Sequence, residues 1–236
     1  GFSAYQLLNV FWHELGLIAY SEFRDGNVPA GYSLLPVFKR ALGQLPQGIT
    51  DVRLRSDSAG YCWELLRYCA EGENEQFGRI DFAVCADVTD ALKDSIREVA
   101  VTEWHPLIRK LPDQEIVTQQ EYAEVVYVPN AIGHKKEGPH YRFIAIREKI
   151  PQLALPTMEE QTQLELPFPN MSLSDDSTEA IHYKISALVT TLDWDADKVI
   201  WWLRERCGKS EEVHAIMKDD LAGGTFPSNL FGANAA

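Results

Sequence analysis

The sequence predicts an α/β fold, a mixed sheet flanked by helices. Three observations lead there. Between Tyr5 and Cys85, short apolar runs with period-2 alternation exchange with stretches of helical spacing, in the order strand, strand, helix, strand, helix, strand. Turn formers punctuate these runs, as at Asp25-Gly26-Asn27. And 45% of the 236 residues are apolar, with 6 Trp and 10 Phe, enough for a sizeable core in one large domain or a domain with an insertion.

Tyr5 to Trp12 and Leu17 to Phe23 read as a hairpin turning at His13-Glu14-Leu15-Gly16. Ser33 to Leu45 has helical spacing, with Leu34, Leu35, Phe38, Ala41, Leu42 and Leu45 as its core stripe, and Pro46-Gln47-Gly48 ends it. Val52 to Arg55 alternates like a strand and delivers Asp57 to its C-terminal end. Tyr61 to Ala70 is a helix packing Leu65, Leu66 and Cys69, Ile80 to Cys85 a strand, and Thr89 to Val99 a helix. Further on, Tyr122 to Val128, Tyr141 to Arg147 and Tyr183 to Val189 read as strands, and Asp197 to Arg206 leads into a late helix. The polar loop Asn130 to His140 carries His134, Lys135, Lys136 and His140. A two-histidine metal site, a tip touching DNA phosphate and a plain solvated loop are all open readings of it. Pro151 to Ala180, with its prolines and acidic run, reads as an extended connector.

The late helix carries the chemistry-bearing spacing. Ser210 suits an N-cap, Glu211 and Glu212 fall in the first turn beside the positive end of the dipole, and Gly223-Gly224 stops the helix. Glu211, His214 and Lys218 fall on one face. A carboxylate and an ammonium so placed suit a site for a divalent metal and a phosphate; a salt-bridged surface helix has the same spacing. Asp57 has two readings as well, a metal ligand or the N-cap of the helix that follows it.

Three blocks resemble bacterial insertion-sequence transposases of the DDE class, in that family's order: Glu22-Phe23-Arg24-Asp25-Gly26-Asn27, Leu54-Arg55-Ser56-Asp57-Ser58-Ala59, and Arg206 to Ala236 with Glu211, Lys218 and the ending Gly224-Thr225-Phe226-Pro227-Ser228-Asn229-Leu230-Phe231-Gly232-Ala233-Asn234-Ala235. The resemblance implies an RNase H-like fold in which the second catalytic Asp ends a strand and a catalytic Glu starts a late helix. Those roles fall on Asp57 and Glu211, as catalytic residues and metal ligands. The commoner form of the third motif has a Tyr seven and an Arg four residues before the Glu, where this chain has Arg204 and Cys207; Lys218 matches, and Arg206 lies one residue out of register. Lys218, Arg206, Arg204, Lys135 and Lys136 are the candidate DNA contacts. The family's first strand, bearing the first Asp, belongs upstream of the region matched by Tyr5 to Phe23. The chain is therefore expected to be a transposase lacking its N-terminal part, with Asp25 and Asp51 as the nearest acidic alternatives. The implied division is 1–103 as the first part of the RNase H-like core, 104–181 as a mainly β insertion with its acidic connector, and 182–236 as the C-terminal part of the core.

The implied activity is metal-dependent phosphodiester hydrolysis and strand transfer at insertion-sequence ends, with Mg²⁺, or Mn²⁺ in its place. Two such ions about 3.5–4 Å apart activate the nucleophile and stabilise the leaving oxygen, and carboxylate oxygens suit these hard cations. The alternative is an inactive remnant that keeps the fold and binds DNA or intact transposase. Expected partners are double-stranded DNA bearing the terminal repeats and a second copy in a synaptic dimer.

The formal net charge of −13 runs against a DNA-gripping surface. Glu159, Glu160, Glu165, Asp175, Asp176 and Glu179 contribute part of it, yet the chain stays acidic without them. Much of the DNA affinity is expected in a segment outside this chain. No apolar run approaches the ~20 residues of a membrane span and the N-terminus has no leader pattern. Cys62, Cys69, Cys85 and Cys207 form no C-x-x-C pair and are expected reduced. The protein is expected in the bacterial cytoplasm, at the nucleoid.

Overall fold

The computed structural model describes residues 5–29, 31–129, 141–150 and 183–206. An antiparallel hairpin of β1 (Tyr5–Trp12) and β2 (Leu17–Asp25) forms a two-stranded sheet of its own. A six-stranded sheet has the order β3-β4-β8-β7-β6-β5. Its strands are β3 (Arg53–Ser56), β4 (Asp81–Ala86), β5 (His105–Leu111), β6 (Gln114–Val125), β7 (Arg142–Lys149) and β8 (Tyr183–Thr190). Among the described strands only β3 and β4 run parallel; β4 pairs β8 antiparallel, and so does every pair from there to β5. The helices are α1 (Leu34–Leu42), α2 (Trp63–Ala70), α3 (Asp90–Arg97) and α4 (Ala196–Arg204). The fold is mixed α/β.

The alternation of β4 sets the layers. Phe82 and Val84 point to one face, where they join Phe38 and Leu42 of α1, Leu65 and Leu66 of α2, and Leu92 and Ile96 of α3. Ala83 points to the other face, with Ile144, Leu188 and the α4 residues Ala196, Val199, Ile200 and Leu203. Helices thus cover both faces, which is why β4 is apolar along nearly its whole length. Full burial of each large side chain stabilises by roughly 1.5–3 kcal/mol.

Local chemistry agrees with the helices. Pro36 falls in the first turn of α1, where its missing N–H costs no hydrogen bond, and Lys39 and Arg40 fall in the last turn beside the negative end of the dipole. Thr89 caps α3, its Oγ1 accepting from Leu92 N at 3.3 Å.

Two polar clusters stitch the elements together. Arg24 is 6% exposed and pairs with Glu22 at 2.8 Å while donating to the carbonyls of Tyr32 and Ser33, so β2 holds the start of α1. Ser33 stands there at φ 52, a left-handed backbone that those bonds keep in place. At the other junction, Thr190 Oγ1 donates to Phe82 O at 2.6 Å, and Thr191 Oγ1 donates to Asp81 Oδ1 at 2.9 Å while accepting from Phe82 N at 3.1 Å. These bonds continue the β4–β8 pairing past its last ladder position and aim the chain at α4.

The structure corrects several expectations. The strands of the expected insertion are continuous with the sheet that holds β3, in the order β3-β4-β8-β7-β6-β5. β5 and the first half of β6 were not anticipated, and β6 ends at Val125, short of Val128. The helix expected over Tyr61 to Ala70 begins at Trp63, with Cys62 as its N-cap. Among the described residues Cys62 and Cys69 are free thiols. The loop Asn130 to His140, the connector Pro151 to Ala180 and the helix beginning after Ser210 lie outside the described residues. Among those described, no helix is long and apolar enough to cross a membrane.

Arg24→Ala leaves buried carbonyls and Glu22 without their partner and is expected to destabilise by about 3 kcal/mol, read by chemical denaturation. Burial pushes the Cys69 thiol from 9.0 up to about 12. The folded state therefore favours the neutral thiol: its contribution is complete below the unfolded value and lost as pH rises from 9.0 towards about 12. Cys69→Ala is expected to flatten that part of the stability–pH curve, measured by denaturation at each pH.

Candidate functional site at the end of strand β3

Asp57 follows the last residue of β3, on the edge of the sheet. The parallel β3–β4 pair puts the C-terminal ends of both strands on one side, and the chain leaves β3 through a single 3-10 turn, Ser58–Gly60. Asp57 caps that turn: its Oδ1 accepts from Ala59 N at 3.1 Å. Gly60 makes the turn possible, because a Cβ there would overlap the Ser56 side chain. Asp57 is thus a cap, but of this turn and not of α2, whose N-cap position is Cys62. Its carboxylate remains 58% exposed, so capping leaves it accessible.

The C-terminal end of α4 is brought to the same place. Arg55 reaches from β3 to donate to Trp202 O and, at 3.2 Å, to Glu205 Oε2, with its guanidinium 5.0 Å from the centre of the Trp202 ring. Beyond it, Arg206 Nη1 lies 3.9 Å from Asp57 Oδ2. That separation is at the limit of an ion pair, and between partly exposed groups such a pair contributes little to stability.

Trp202 is one member of a run of rings and cations along this surface. Trp194 meets it edge-on at 5.7 Å, and Arg53 and Lys198 lie 5.3 and 4.4 Å from the Trp194 ring. Arg53 also pairs with Asp51 at 2.6 Å. The other face of α4 turns inward: Trp201 Nε1 donates to Ile108 O at 2.8 Å, and Arg204 lies over Trp201 while donating to Gln120 Oε1 at 2.7 Å.

The candidate residues therefore divide. Asp57 and Arg206 are brought together. Arg204 is directed to β6 and to Trp201. Glu211, Lys218, Lys135 and Lys136 lie outside the described residues. Asp25 ends β2 and accepts from Asn27 N, and Asp51 is held by Arg53. Neither makes a cluster with Asp57, since among the described residues no group of three or more His, Cys, Asp or Glu is placed to hold a metal. The described carboxylates do not by themselves fit Mg²⁺, which needs several oxygen ligands in near-octahedral geometry. Sequence reasoning missed Arg55 and Glu205; alternation marked Arg55 only as a strand residue, and nothing local ties it to a helix end far along the chain.

Among the described residues, concavities lie elsewhere. One, of about 110 Å³, is apolar and lined by Tyr61, Trp63, Leu66, Tyr141 and Phe143 among others; burial raises the Tyr61 phenol to about 12 and pushes Tyr141 up as well. The other lies by Lys39, Tyr68 and Asn74. Neither is lined by Asp57 or Arg206.

Stability separates the capping role of Asp57 from any other. Asp57→Ala is expected to cost about 1 kcal/mol and Asp57→Asn nearly nothing, because Asn caps as well as Asp. Urea denaturation checks both, and equal losses in the two variants would contradict the capping account. No family model, curated protein or solved structure matches this chain.

Proposed function

We propose that this chain is the catalytic domain, or part of it, of a DNA transposase of the DDE class, RNase H-like in fold, in which Asp57 and Glu211 hold Mg²⁺. The observation that carries the reading is the approach of Arg206 to Asp57 at 3.9 Å. Glu211 follows Arg206 by five residues, which span about 18 Å of extended chain or about 7.5 Å of helix. That span is short enough for the two acids named by the resemblance, far apart in sequence, to meet. The parallel β3–β4 pair with an Asp at the end of β3, and helices on both sheet faces, support the same reading.

In this reading Asp57 and Glu211 are the chain's metal-holding carboxylates, and the bound ions supply activation of the attacking oxygen and stabilisation of the leaving one. Lys218 would supply charge to neutralise the phosphate, with Arg206 adding to it. The reading requires a third acid, which the resemblance places on a strand upstream of Gly1. The substrate is double-stranded DNA carrying terminal repeats, handled by two copies of the protein. A second reading, an inactive remnant that binds DNA or transposase, draws support from the engagement of Asp57 as a cap beside Arg206.

The test is cleavage of duplex DNA carrying the terminal repeats, in Mg²⁺ or Mn²⁺. The 236-residue chain is expected to bind these ions weakly and to cleave nothing, because two carboxylates supply too few ligands. A chain extended at its N-terminus by an apolar strand bearing an Asp is expected to cleave, and Asp57→Ala or Glu211→Ala in it to slow cleavage more than about 10³-fold. Full activity of either variant would mean the wrong acids are assigned. Repeat-specific binding without cleavage by the extended chain would favour the remnant.

A further inference from the structure

The apolar cavity beside α2 is walled by four rings, those of Tyr61, Trp63, Tyr141 and Phe143, with the buried Leu66 and Val189 at its inner end. These walls are braced from behind. Tyr141 meets Trp63 at 5.7 Å and 71° and Phe82 at 5.7 Å and 61°, while Phe143 meets Tyr127 at 5.0 Å and 87°. Edge-to-face contacts of this kind hold aromatic rings in place. The Tyr127 hydroxyl lies in turn 3.4 Å from Oγ1 of Thr89, the cap of α3. Rings so held do not fold inward, and a space of about 110 Å³ stays between them.

The lining selects its guest. No wall carries a formal charge: burial raises the Tyr61 phenol to about 12 and pushes Tyr141 up as well, so both stay neutral at ordinary pH. An ion entering there would exchange its water for apolar surface with nothing to pair with it. Size narrows the choice further. An apolar cavity of about 150 Å³ takes benzene; this one is smaller but partly open, so a single six-membered ring fits with any substituent at the mouth. Aromatic walls favour an aromatic guest over an aliphatic one, because only the former adds ring-to-ring contacts to the area it buries.

We propose that this cavity is a binding site for an uncharged monocyclic aromatic molecule, its ring packed among Trp63, Tyr141 and Phe143 with Leu66 and Val189 beneath it. The site stands apart from Asp57 and does not depend on the transposase reading. Tyr141 supplies its ring; its hydroxyl is buried without a hydrogen-bond partner and takes no part in the grip. Trp63 is the partly exposed wall, so it can be removed with least harm to the core.

The experiment is a titration of the 236-residue chain with benzene, read by NMR from the methyl groups of Leu66 and Val189. Saturable shifts are expected, with a Kd of about 1 mM or tighter. Cyclohexane and tetramethylammonium, the aliphatic and cationic comparators, are each expected to bind at least tenfold more weakly. Trp63→Ala is expected to weaken benzene at least tenfold, through lost area and ring contact. Leu66→Phe, which puts a ring of the protein's own into the space, is expected to abolish binding, and Tyr141→Phe to leave it unchanged. Absence of saturable shifts overturns the proposal. So does tetramethylammonium or cyclohexane binding as tightly as benzene, since the site would then select another chemistry. Unchanged benzene affinity in Trp63→Ala overturns it as well, and that variant decides alone should Leu66→Phe not fold.

Discussion

The fold depends on the burial of β4 on both faces. Phe82 and Val84 enter the core made with α1, α2 and α3, Ala83 enters the core made with α4, and all three are at 0% exposure. A strand buried on both sides must place every backbone polar group in a ladder. β4 does so with β3 on one edge and β8 on the other. Where the β8 ladder ends, Thr190 and Thr191 take over with hydroxyls that bond Phe82 and Asp81. The direction in which the chain then sets off, towards α4, follows from those bonds. The encounter between the end of α4 and the end of β3 is thus a consequence of how one central strand satisfies its backbone.

Charge has the same internal character. A chain of net −13 has few cations to spare, and the described ones are largely committed. Arg147 is held between the Trp104 and Tyr183 rings at 4.0 and 4.7 Å and pairs with Glu121; Arg142 spans from Glu124 to the carbonyls of Leu192 and Trp194. Each arginine joins elements distant in sequence through the fork-and-plane geometry that lysine lacks. Arginine here acts as a fastener between strands and helices. In the proposed function the candidate contacts to DNA phosphate in this chain are Lys218, Lys135, Lys136 and Arg206.

Legibility in the sequence followed the strength of each element's periodicity. α1 carries an apolar stripe and is found within a residue or so of its expected start, and β4 is an apolar run bounded by polar residues. β5 escaped notice because Pro106 and the pair Arg109-Lys110 break its pattern, and Ile116 and Val117 are both exposed on the first part of β6. An edge strand needs no clean alternation, since one of its sides faces solvent. The same limit applied to the site. Asp57 was legible as a strand-end acid because that position is local, while the turn it caps, in place of α2, was not. The Arg55–Glu205 contact is not local: its partners stand 150 residues apart, and only the sheet order brings them together. The continuity of β5, β6 and β7 with the rest of the sheet was hidden for the same reason, since pairing through β8 leaves no trace in any short window.

The central claim is that two acids far apart in the chain share one metal-holding neighbourhood. It is tested most directly by a crystal structure of the protein grown with Mn²⁺, read for the anomalous signal of the ion and the separation of two carboxylates. The account predicts that the Asp57 and Glu211 carboxylates lie within roughly 10 Å of each other, the reach of a two-metal site, with Mn²⁺ between them. Carboxylates farther apart than that in an ordered structure, with Mn²⁺ bound elsewhere or not at all, would contradict it.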